Sequence, residues 1–172
     1  EAREASIRQR NTTYELRQDE LKYNLGALVG LTPFLINLPL ETKIIVVTNP
    51  VDELTNYLYQ KLGENRDIFG FGIQLDQKRF KEYLKRDLIC IGTHGAAIPL
   101  IGLGSVEEYK DLSQKVDKIL FERVRTVGIP YNVAGSEFKT FFENLNSAEE
   151  KIVPVSYLLR NDFYGVKGIA IS

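Results

Sequence analysis

Four consecutive β-branched residues constrain the fold of this chain more than any other feature. The run consists of Ile44, Ile45, Val46 and Val47. It predicts a strand over residues 43–48 that is buried on both faces, as in a parallel sheet. Asn49-Pro50 follows at once, and Asn is a favoured helix N-cap while Pro is favoured at the first helical position. The segment therefore predicts a strand that leads directly into a helix, which is the repeating unit of α/β folds.

The remaining pattern predicts an α/β chain that becomes α+β toward its C-terminal part. Apolar spacing predicts helices over residues 15–31, 51–62, 75–85 and 106–127, with the second ended by Gly63. Short apolar runs predict a strand over 88–91 and a hairpin of strands over 151–159 and 164–172, joined at Asn161-Asp162. We expect turns at Gly70 and Gly72, and again at Gly135 and Ser136. Residues 25–40 are too short and too broken to span a bilayer, so they predict a buried helix and loop.

Composition excludes several functional classes. The 172 residues carry a formal net charge of −1, so no overall positive field attracts nucleic acid. Cys90 is the only cysteine, which excludes an internal disulfide and a cysteine-rich metal site. A single unpaired cysteine fits a reducing cytoplasm. We therefore expect a cytoplasmic protein without a metal, a membrane partner or a nucleic-acid partner.

One histidine, one carboxylate and one guanidinium are the candidate catalytic groups. His94, the only histidine, lies in Gly92-Thr93-His94-Gly95, and Asp76 and Arg79 lie in Leu75-Asp76-Gln77-Lys78-Arg79-Phe80. Imidazole titrates near neutral pH and can move a proton in either direction. A guanidinium can bind a substrate carboxylate through two hydrogen bonds. Asp76 and Arg79 are three positions apart on a predicted helix, which puts them on one face.

Each candidate also has a simpler structural interpretation. A lone histidine is more often structural than catalytic, and Asp76 with Arg79 could be a surface ion pair of small energetic value. Asn49 could serve only as a helix cap, and Arg17 could be one solvated arginine among several. Ser136 has no second histidine to activate it, and Cys90 fits an inert core position. A hydrolase that uses Cys90 and His94 is therefore disfavoured.

Four motifs, in order along the chain, resemble the lactate/malate dehydrogenase family. Arg17 is followed seven residues later by Asn24, as in the family. The run Ile45-Val46-Val47-Thr48-Asn49-Pro50-Val51-Asp52 is similar to its strand-to-helix motif, and Leu75 to Phe80 is similar to its Leu-Asp-x-x-Arg-Phe. Gly92-Thr93-His94-Gly95 with Pro99 resembles its Gly-x-His-Gly…Pro. Each motif is weak alone, whereas the four in order are specific.

The resemblance implies hydride transfer between NAD and a small 2-hydroxy acid. It implies that His94 accepts the proton, that Asp76 orients His94, and that Arg79 clamps the substrate carboxylate. Arg17 would polarise the substrate carbonyl from a mobile loop. Asn49 would contact both substrate and cofactor, and Val47 and Asn24 would also contact NAD. The resemblance further implies a homodimer or homotetramer.

The chain also departs from the family pattern. The glycine-rich dinucleotide fingerprint is absent, Met is absent, and the sequence stops before the family's last strand and helix. We therefore expect an incomplete chain: residues 1–49 as the end of a Rossmann-type NAD domain with the active-site loop, and residues 50–172 as the substrate-binding catalytic domain, truncated at its C-terminus. A degenerate relative without its cofactor half would show the same departures.

Substrate choice depends on the segment before Arg17. A second substrate carboxylate, as in malate or oxaloacetate, favours an arginine there. Arg10 lies seven residues before Arg17 and is the candidate, which slightly favours malate over lactate. The competing function is a non-catalytic paralogue that serves as an assembly module.

Overall fold

The computed structural model describes residues 13–102, 105–128, 131–160 and 167–171, with side chains described from residue 20 to residue 159 within those ranges. The helices are α1 (Thr13–Ile36), α2 (Val51–Leu62), α3 (Ile73–Leu84), α4 (Val106–Val127) and α5 (Tyr131–Leu145). The strands are β1 (Ile44–Val46), β2 (Ile68–Gly70), β3 (Cys90–Thr93), β4 (Ala96–Pro99), β5 (Tyr157–Arg160) and β6 (Lys167–Ile171). Within the described part of the chain, no helix is both long and apolar enough to cross a membrane.

Strand β1, helix α2 and strand β2 form a parallel β-α-β unit. Ile44 pairs with Ile68 and Val46 with Gly70, which confirms the predicted parallel pairing. The core beside this unit is made of Leu28, Val46, Leu54, Leu58, Tyr59, Ile68 and Leu158. Burial on both faces was wrong, however, because Val47 is 59% exposed. The paired strand ends at Val46, so Val47 lies beyond the ladder that covers its neighbours.

Helix α2 starts one residue later than a cap at Asn49 requires. Pro50 is the N-cap residue, with an extended backbone and no side-chain cap hydrogen bond. The prediction that Asn49 caps this helix was therefore wrong, because its side chain stands one position too far from the first turn. The Asn49-Pro50 peptide bond is cis. The predicted end is confirmed: Gly63 has a φ of 89° and its N–H donates to the carbonyl of Tyr59, a conformation that favours glycine.

Helix α3 and a β-hairpin form the second packed unit. Strands β3 and β4 are antiparallel, with Cys90 opposite Pro99 and Thr93 opposite Ala96. The turn between them holds His94, as the sequence predicted, while strand β4 was not predicted. Buried side chains from α3, the hairpin and α4 form one core: Ile73, Phe80, Leu88, Cys90, Ala97, Leu112 and Val116. Helix α4 has the predicted bounds, 106–127.

Helix α1 is longer and more exposed than predicted. It continues to Ile36 through Pro33. Leu28 packs in the core, but several apolar residues of the 25–40 segment are half or more exposed: Val29, Leu31, Phe34, Ile36 and Leu40. The prediction of a buried segment was wrong, because only one face of the helix packs on α2. The buried guanidinium of Arg66 donates to the carbonyls of Ile36, Leu38 and Pro39 and so satisfies the end of the helix.

Two further expectations concern the C-terminal part. Gly135 and Ser136 lie inside α5 rather than in a turn, because Phe138 and Phe141 direct this helix onto Phe71. The predicted hairpin is confirmed by the antiparallel pairing of β5 with β6, while its turn at Asn161-Asp162 lies outside the described residues.

Gly70, predicted in a turn, ends strand β2 instead. The boundary at 49/50 stays a prediction.

Candidate active site

His94 is held in the turn of the β3–β4 hairpin against the first turn of α3. Its Nδ1 lies 2.7 Å from Oδ2 of Asp76. Both residues are buried, with 5% and 4% of their surface exposed. The structure thus brings together His94 and Asp76, which lie 18 positions apart and were predicted to act together. Burial of both partners makes this contact different from a solvated surface pair.

Asp76 accepts three hydrogen bonds. Oδ1 accepts one from Nη1 of Arg79 at 2.6 Å, and Oδ2 accepts one from the N–H of Gly95 at 2.8 Å in addition to the His94 contact. Burial alone would raise the pKa of Asp76, but the charge that His94 carries when protonated, the hydrogen bond from His94, the charge of Arg79 and the Gly95 N–H outweigh it. The pKa of Asp76 lies well below its usual value, so this carboxylate stays ionised.

Gly72, just before α3, makes room for the imidazole. A Cβ at this position would lie 2.5 Å from Cδ2 and 2.6 Å from Cγ of His94. Real side chains do not approach this closely, so a larger residue would displace the ring. The glycine turn was predicted from the sequence, but its role in seating the ring depends on a contact across 22 positions. No local sequence pattern reports such a contact.

Asp52 is a second buried carboxylate at the histidine turn, and sequence reasoning did not identify its role. Its Oδ2 accepts the backbone N–H of His94 at 2.8 Å, and only 4% of the residue is exposed. Asp52 lies in the first turn of α2, where acidic residues favour the positive end of the helix dipole. Because a helix-dipole position is common for acidic residues, it gave no reason to look for the contact of Asp52 with His94. The only sequence signal was that Asp52 belongs to the strand-to-helix motif quoted above.

A cleft of about 740 Å³ runs past the histidine turn. Four residues selected from the sequence line it: His94, Arg79, Asn49 and Val47. Lys78 and Glu82 of helix α3 and Lys85, just after its end, line it as well, and Lys78 forms a 2.7 Å ion pair with Glu137 of α5. The opposite wall comes from α4 and α5 and is largely apolar, with Val116, Leu120, Val124 and Phe138. Charged groups and an apolar wall together are usual in small-molecule sites.

The other predicted residues have different placements. Asn24 lies in α1 and its side-chain amide donates to the backbone carbonyl of Asn49, so it supports that segment. Arg17 belongs to helix α1, as the apolar spacing over 15–31 predicted, which corrects the mobile loop that the resemblance implied. Its side chain is not among those described. Arg10 lies outside the described residues.

The thiol and hydroxyl candidates are not arranged for nucleophilic attack. Cys90 is fully buried, and burial together with the charge of Asp76 raises the pKa of its thiol to about 12. The thiolate is the reactive form, so Cys90 is inert at neutral pH. The hydroxyl of Ser136 donates to the carbonyl of Val133 inside α5. Both observations agree with the structural roles preferred from the sequence.

The arrangement is suited to proton transfer beside a carboxylate. When Nδ1 carries the ring proton, the Nδ1–H group donates a hydrogen bond to Asp76. Nε2 is then the basic nitrogen of the neutral ring. A proton taken by Nε2 creates an imidazolium that the ionised Asp76 stabilises. Arg79 lies on the same face of α3 as Asp76 and lines the same cleft as His94. A candidate base and a guanidinium therefore line one cleft.

Several known proteins are similar to this chain in sequence and in fold. No family model matches the chain. The malate dehydrogenase of Archaeoglobus fulgidus is 26% identical over 167 residues, which cover 90% of this chain and 56% of that protein. Its solved structure, in complex with NADH, aligns with a TM-score of 0.65 at 25% identity and covers 86% of this chain and 54% of that one.

Two further relatives agree. The L-2-hydroxycarboxylate dehydrogenase (NAD(P)(+)) of Methanocaldococcus jannaschii is 31% identical over 158 residues, covering 76% of this chain and 50% of that protein. The L-lactate dehydrogenase of Clostridium thermocellum aligns with a TM-score of 0.70 at 26% identity and covers 91% of this chain and 60% of that one. The chain spans about half the length of the curated relatives it matches. With the motif order and the His94–Asp76 geometry, these similarities support the lactate/malate dehydrogenase family for this chain.

Proposed function

We propose that this chain carries the proton-transfer and substrate-binding half of an NAD-dependent 2-hydroxy acid dehydrogenase. The observation that carries the proposal is the 2.7 Å contact between Nδ1 of His94 and the buried, ionised Asp76, at the wall of a cleft that Arg79 also lines. A base held by a carboxylate next to a guanidinium is what oxidation of a hydroxy acid requires of the protein.

In the oxidation direction, Nε2 of His94 accepts the proton of the substrate hydroxyl while the carbon gives up a hydride. NAD, when bound, supplies the acceptor for that hydride. Asp76 keeps the ring in the Nδ1–H tautomer and stabilises the imidazolium that forms. Arg79 holds the substrate carboxylate by charge-assisted hydrogen bonds, which orients the carbon toward the cofactor. In the reduction direction, the imidazolium returns its proton to the carbonyl oxygen.

The residues present fit the nicotinamide end of NAD. Val47 is exposed beyond the carboxyl end of β1 and lines the cleft together with Asn49, and such strand ends are where α/β sheets bind nucleotides. We propose that Val47 and Asn49 contact the nicotinamide side, with Asn24 supporting Asn49 through its hydrogen bond. The 172 residues contain no glycine-rich fingerprint for the pyrophosphate, so we expect this chain by itself to bind NAD weakly.

Malate and oxaloacetate are the favoured substrate pair. The cleft carries cations in addition to Arg79, namely Lys78, Lys85 and Arg123, and a second substrate carboxylate could pair with one of them. The names of relatives support the same choice, since malate dehydrogenases predominate among them. Arg10 and Arg17 remain proposed partners of the substrate. The homodimer or homotetramer, and the division of the chain at residue 49/50, also remain proposals.

Turnover of NADH tests the proposal. The protein that contains this chain should oxidise NADH in the presence of oxaloacetate and more slowly with pyruvate. Replacement of His94 with Ala should lower kcat by about 10²–10⁴-fold, because the general base is lost. Arg79→Ala should mainly raise KM, since the hydroxy acid loses its clamp while the base remains.

Two results would contradict this function. Normal turnover by the His94→Ala variant would remove the proposed base. Failure of the folded wild-type protein to oxidise NADH with either keto acid would favour the assembly-module function instead. Glu53→Ala is a suitable control for both variants, because Glu53 is exposed and does not line the cleft.

A further inference from the structure

We propose that Asp52 is a positioning residue for His94, and that it fixes the direction of the imidazole through the backbone N–H of the histidine. The proposal rests on the function proposed above only for its catalytic consequence. Its observable basis is a buried carboxylate on α2 that lies 2.8 Å from the N–H of a residue 42 positions later. Through this hydrogen bond, Asp52 links the β-α-β unit to the hairpin that holds His94.

Two consecutive N–H groups of the turn are bound by carboxylates from two different helices. The N–H of His94 donates to Asp52 of α2, and the N–H of Gly95 donates to Asp76 of α3 at 2.8 Å. With both N–H groups held, the two peptide planes that flank the Cα of His94, Thr93–His94 and His94–Gly95, have little freedom to rotate. The Cα–Cβ bond of His94 is then fixed relative to both helices.

Two of the described contacts hold the ring itself. Asp76 accepts from Nδ1, and Gly72 packs against Cγ and Cδ2 closely enough to exclude a Cβ. Neither contact sets the direction of the backbone at His94. Oδ2 of Asp76 accepts from both the Gly95 N–H and Nδ1, and a turned backbone would move these two donors so that one oxygen no longer reaches both. Asp52 opposes that turn, and so helps Asp76 to keep Nδ1 as the donor and Nε2 as the basic nitrogen.

A charged residue is not required for this role, whereas an acceptor is. Hydrogen bonds from a backbone N–H to a carboxylate are stronger than those to a neutral acceptor, but the side-chain oxygen of Asn has the same reach. The Asp52→Asn variant therefore retains an acceptor of nearly identical shape. The Asp52→Ala variant loses it and leaves the N–H of His94 buried without its partner.

The histidine can be observed alone, because it is the only one in the 172 residues. Labelling of the chain with ¹⁵N-histidine gives one backbone amide and one pair of ring nitrogens. In the wild-type chain we expect slow exchange of the His94 amide with solvent and a ring predominantly in the Nδ1–H tautomer. Neither measurement needs cofactor, substrate or turnover, so failure here is distinguishable from failure of the proposed function.

We expect the variants to differ in the exchange rate of the His94 amide and in the tautomer of its ring. In Asp52→Ala, amide exchange at His94 should become at least about tenfold faster, which corresponds to the loss of one net hydrogen bond, and the Nδ1–H tautomer should give way to a mixture. Asp52→Asn should restore the wild-type tautomer. Glu53→Ala is the matched control, since it removes an acidic residue from the same first turn of α2 but is exposed. It should leave both signals unchanged.

A folded Asp52→Ala chain with the wild-type tautomer would overturn the proposal, because Asp52 would then serve stability only. If Asp52→Ala does not fold, the wild-type chain and Asp52→Asn decide the question. Slow exchange of the His94 amide in both, with the Nδ1–H tautomer, supports the proposal. Rapid exchange of that amide in the folded wild-type chain overturns it.

Discussion

Two aspartates, each paired with a cation one helical turn later, show how little a distance says about an ion pair. Asp76 lies 2.6 Å from Arg79 in α3, and Asp111 lies 2.5 Å from Lys115 in α4. The side chain of Asp76 is 6% exposed and that of Asp111 is 65% exposed. Asp76 also accepts from His94 and Gly95. Burial and shared partners, rather than separation, distinguish the carboxylate at the histidine turn from a solvated one.

The largest expected effect belongs to Asp76. Asp76→Asn replaces one acceptor oxygen by an NH₂ group, which would then face the N–H of Arg79 or that of Gly95. We expect a loss of about 3 kcal/mol in the free energy of unfolding at pH 7, which is typical when one partner of a buried pair is removed. Urea denaturation of both chains measures it. A loss as small as that of an exposed pair would show that the buried cluster contributes no more than Asp111.

The pH dependence of this difference sharpens the comparison. The pKa of Asp76 is lowered in the folded chain from 3.8, so the unfolded chain takes up the proton first as the pH falls. The stability that Asp76 contributes is therefore fully present above pH 3.8 and is lost as the pH falls toward the folded-state pKa. The gap between wild type and Asp76→Asn should narrow as the pH falls below 4, because the unfolded wild-type chain then takes up a proton at Asp76 before the folded chain does. A gap that stays constant or widens as the pH falls below 4 would contradict the assignment.

An intermediate effect is expected at Gly72. In Gly72→Ala the new Cβ would meet the His94 ring at about 2.5 Å, so ring and hairpin must shift. Overpacking of this kind costs about 1–3 kcal/mol, and we expect the ring nitrogen shifts of His94 to change with it. Thermal unfolding and the single histidine spectrum measure the two effects.

Gly26→Ala is the control for this substitution, because Gly26 lies in α1 and a Cβ there meets nothing within 4 Å. Alanine is the better helix former, so this variant should be as stable as wild type or slightly more stable. Equal destabilisation of both variants would mean that contact with the imidazole is not the reason for glycine at position 72.

The same contrast explains what could be predicted from the sequence. Helix α4, strand β1 and the His94 turn carry their information locally, in apolar period or in a β-branched run, and were predicted well. Asp76 and Arg79 were found because residues three apart on a helix share a face. The contacts of Asp52 and Gly72 with His94 span 42 and 22 positions, and no local pattern encodes them.

The errors have physical reasons of the same kind. Helix α5 was missed because Gly135 and Ser136 favour turns, whereas Phe138 and Phe141 bury this segment against Phe71. The 25–40 segment was predicted to be buried from composition, but burial depends on which surfaces pack on α1. Propensity and composition describe single residues, and tertiary packing overrides them.

The smallest expected effect is at Asp111. Asp111→Asn removes the charge that pairs with Lys115 at i,i+4, but water already solvates both groups and salt screens them. We expect the midpoint of thermal unfolding to change by less than about 2 °C, as is usual for exposed helix pairs in a chain of this size. Helix content and the His94 spectrum should be unchanged, because Asp111 does not contact the histidine turn. A shift as large as that of Asp76→Asn would mean that the charge pattern along α4, rather than burial around His94, controls the stability of this half of the molecule.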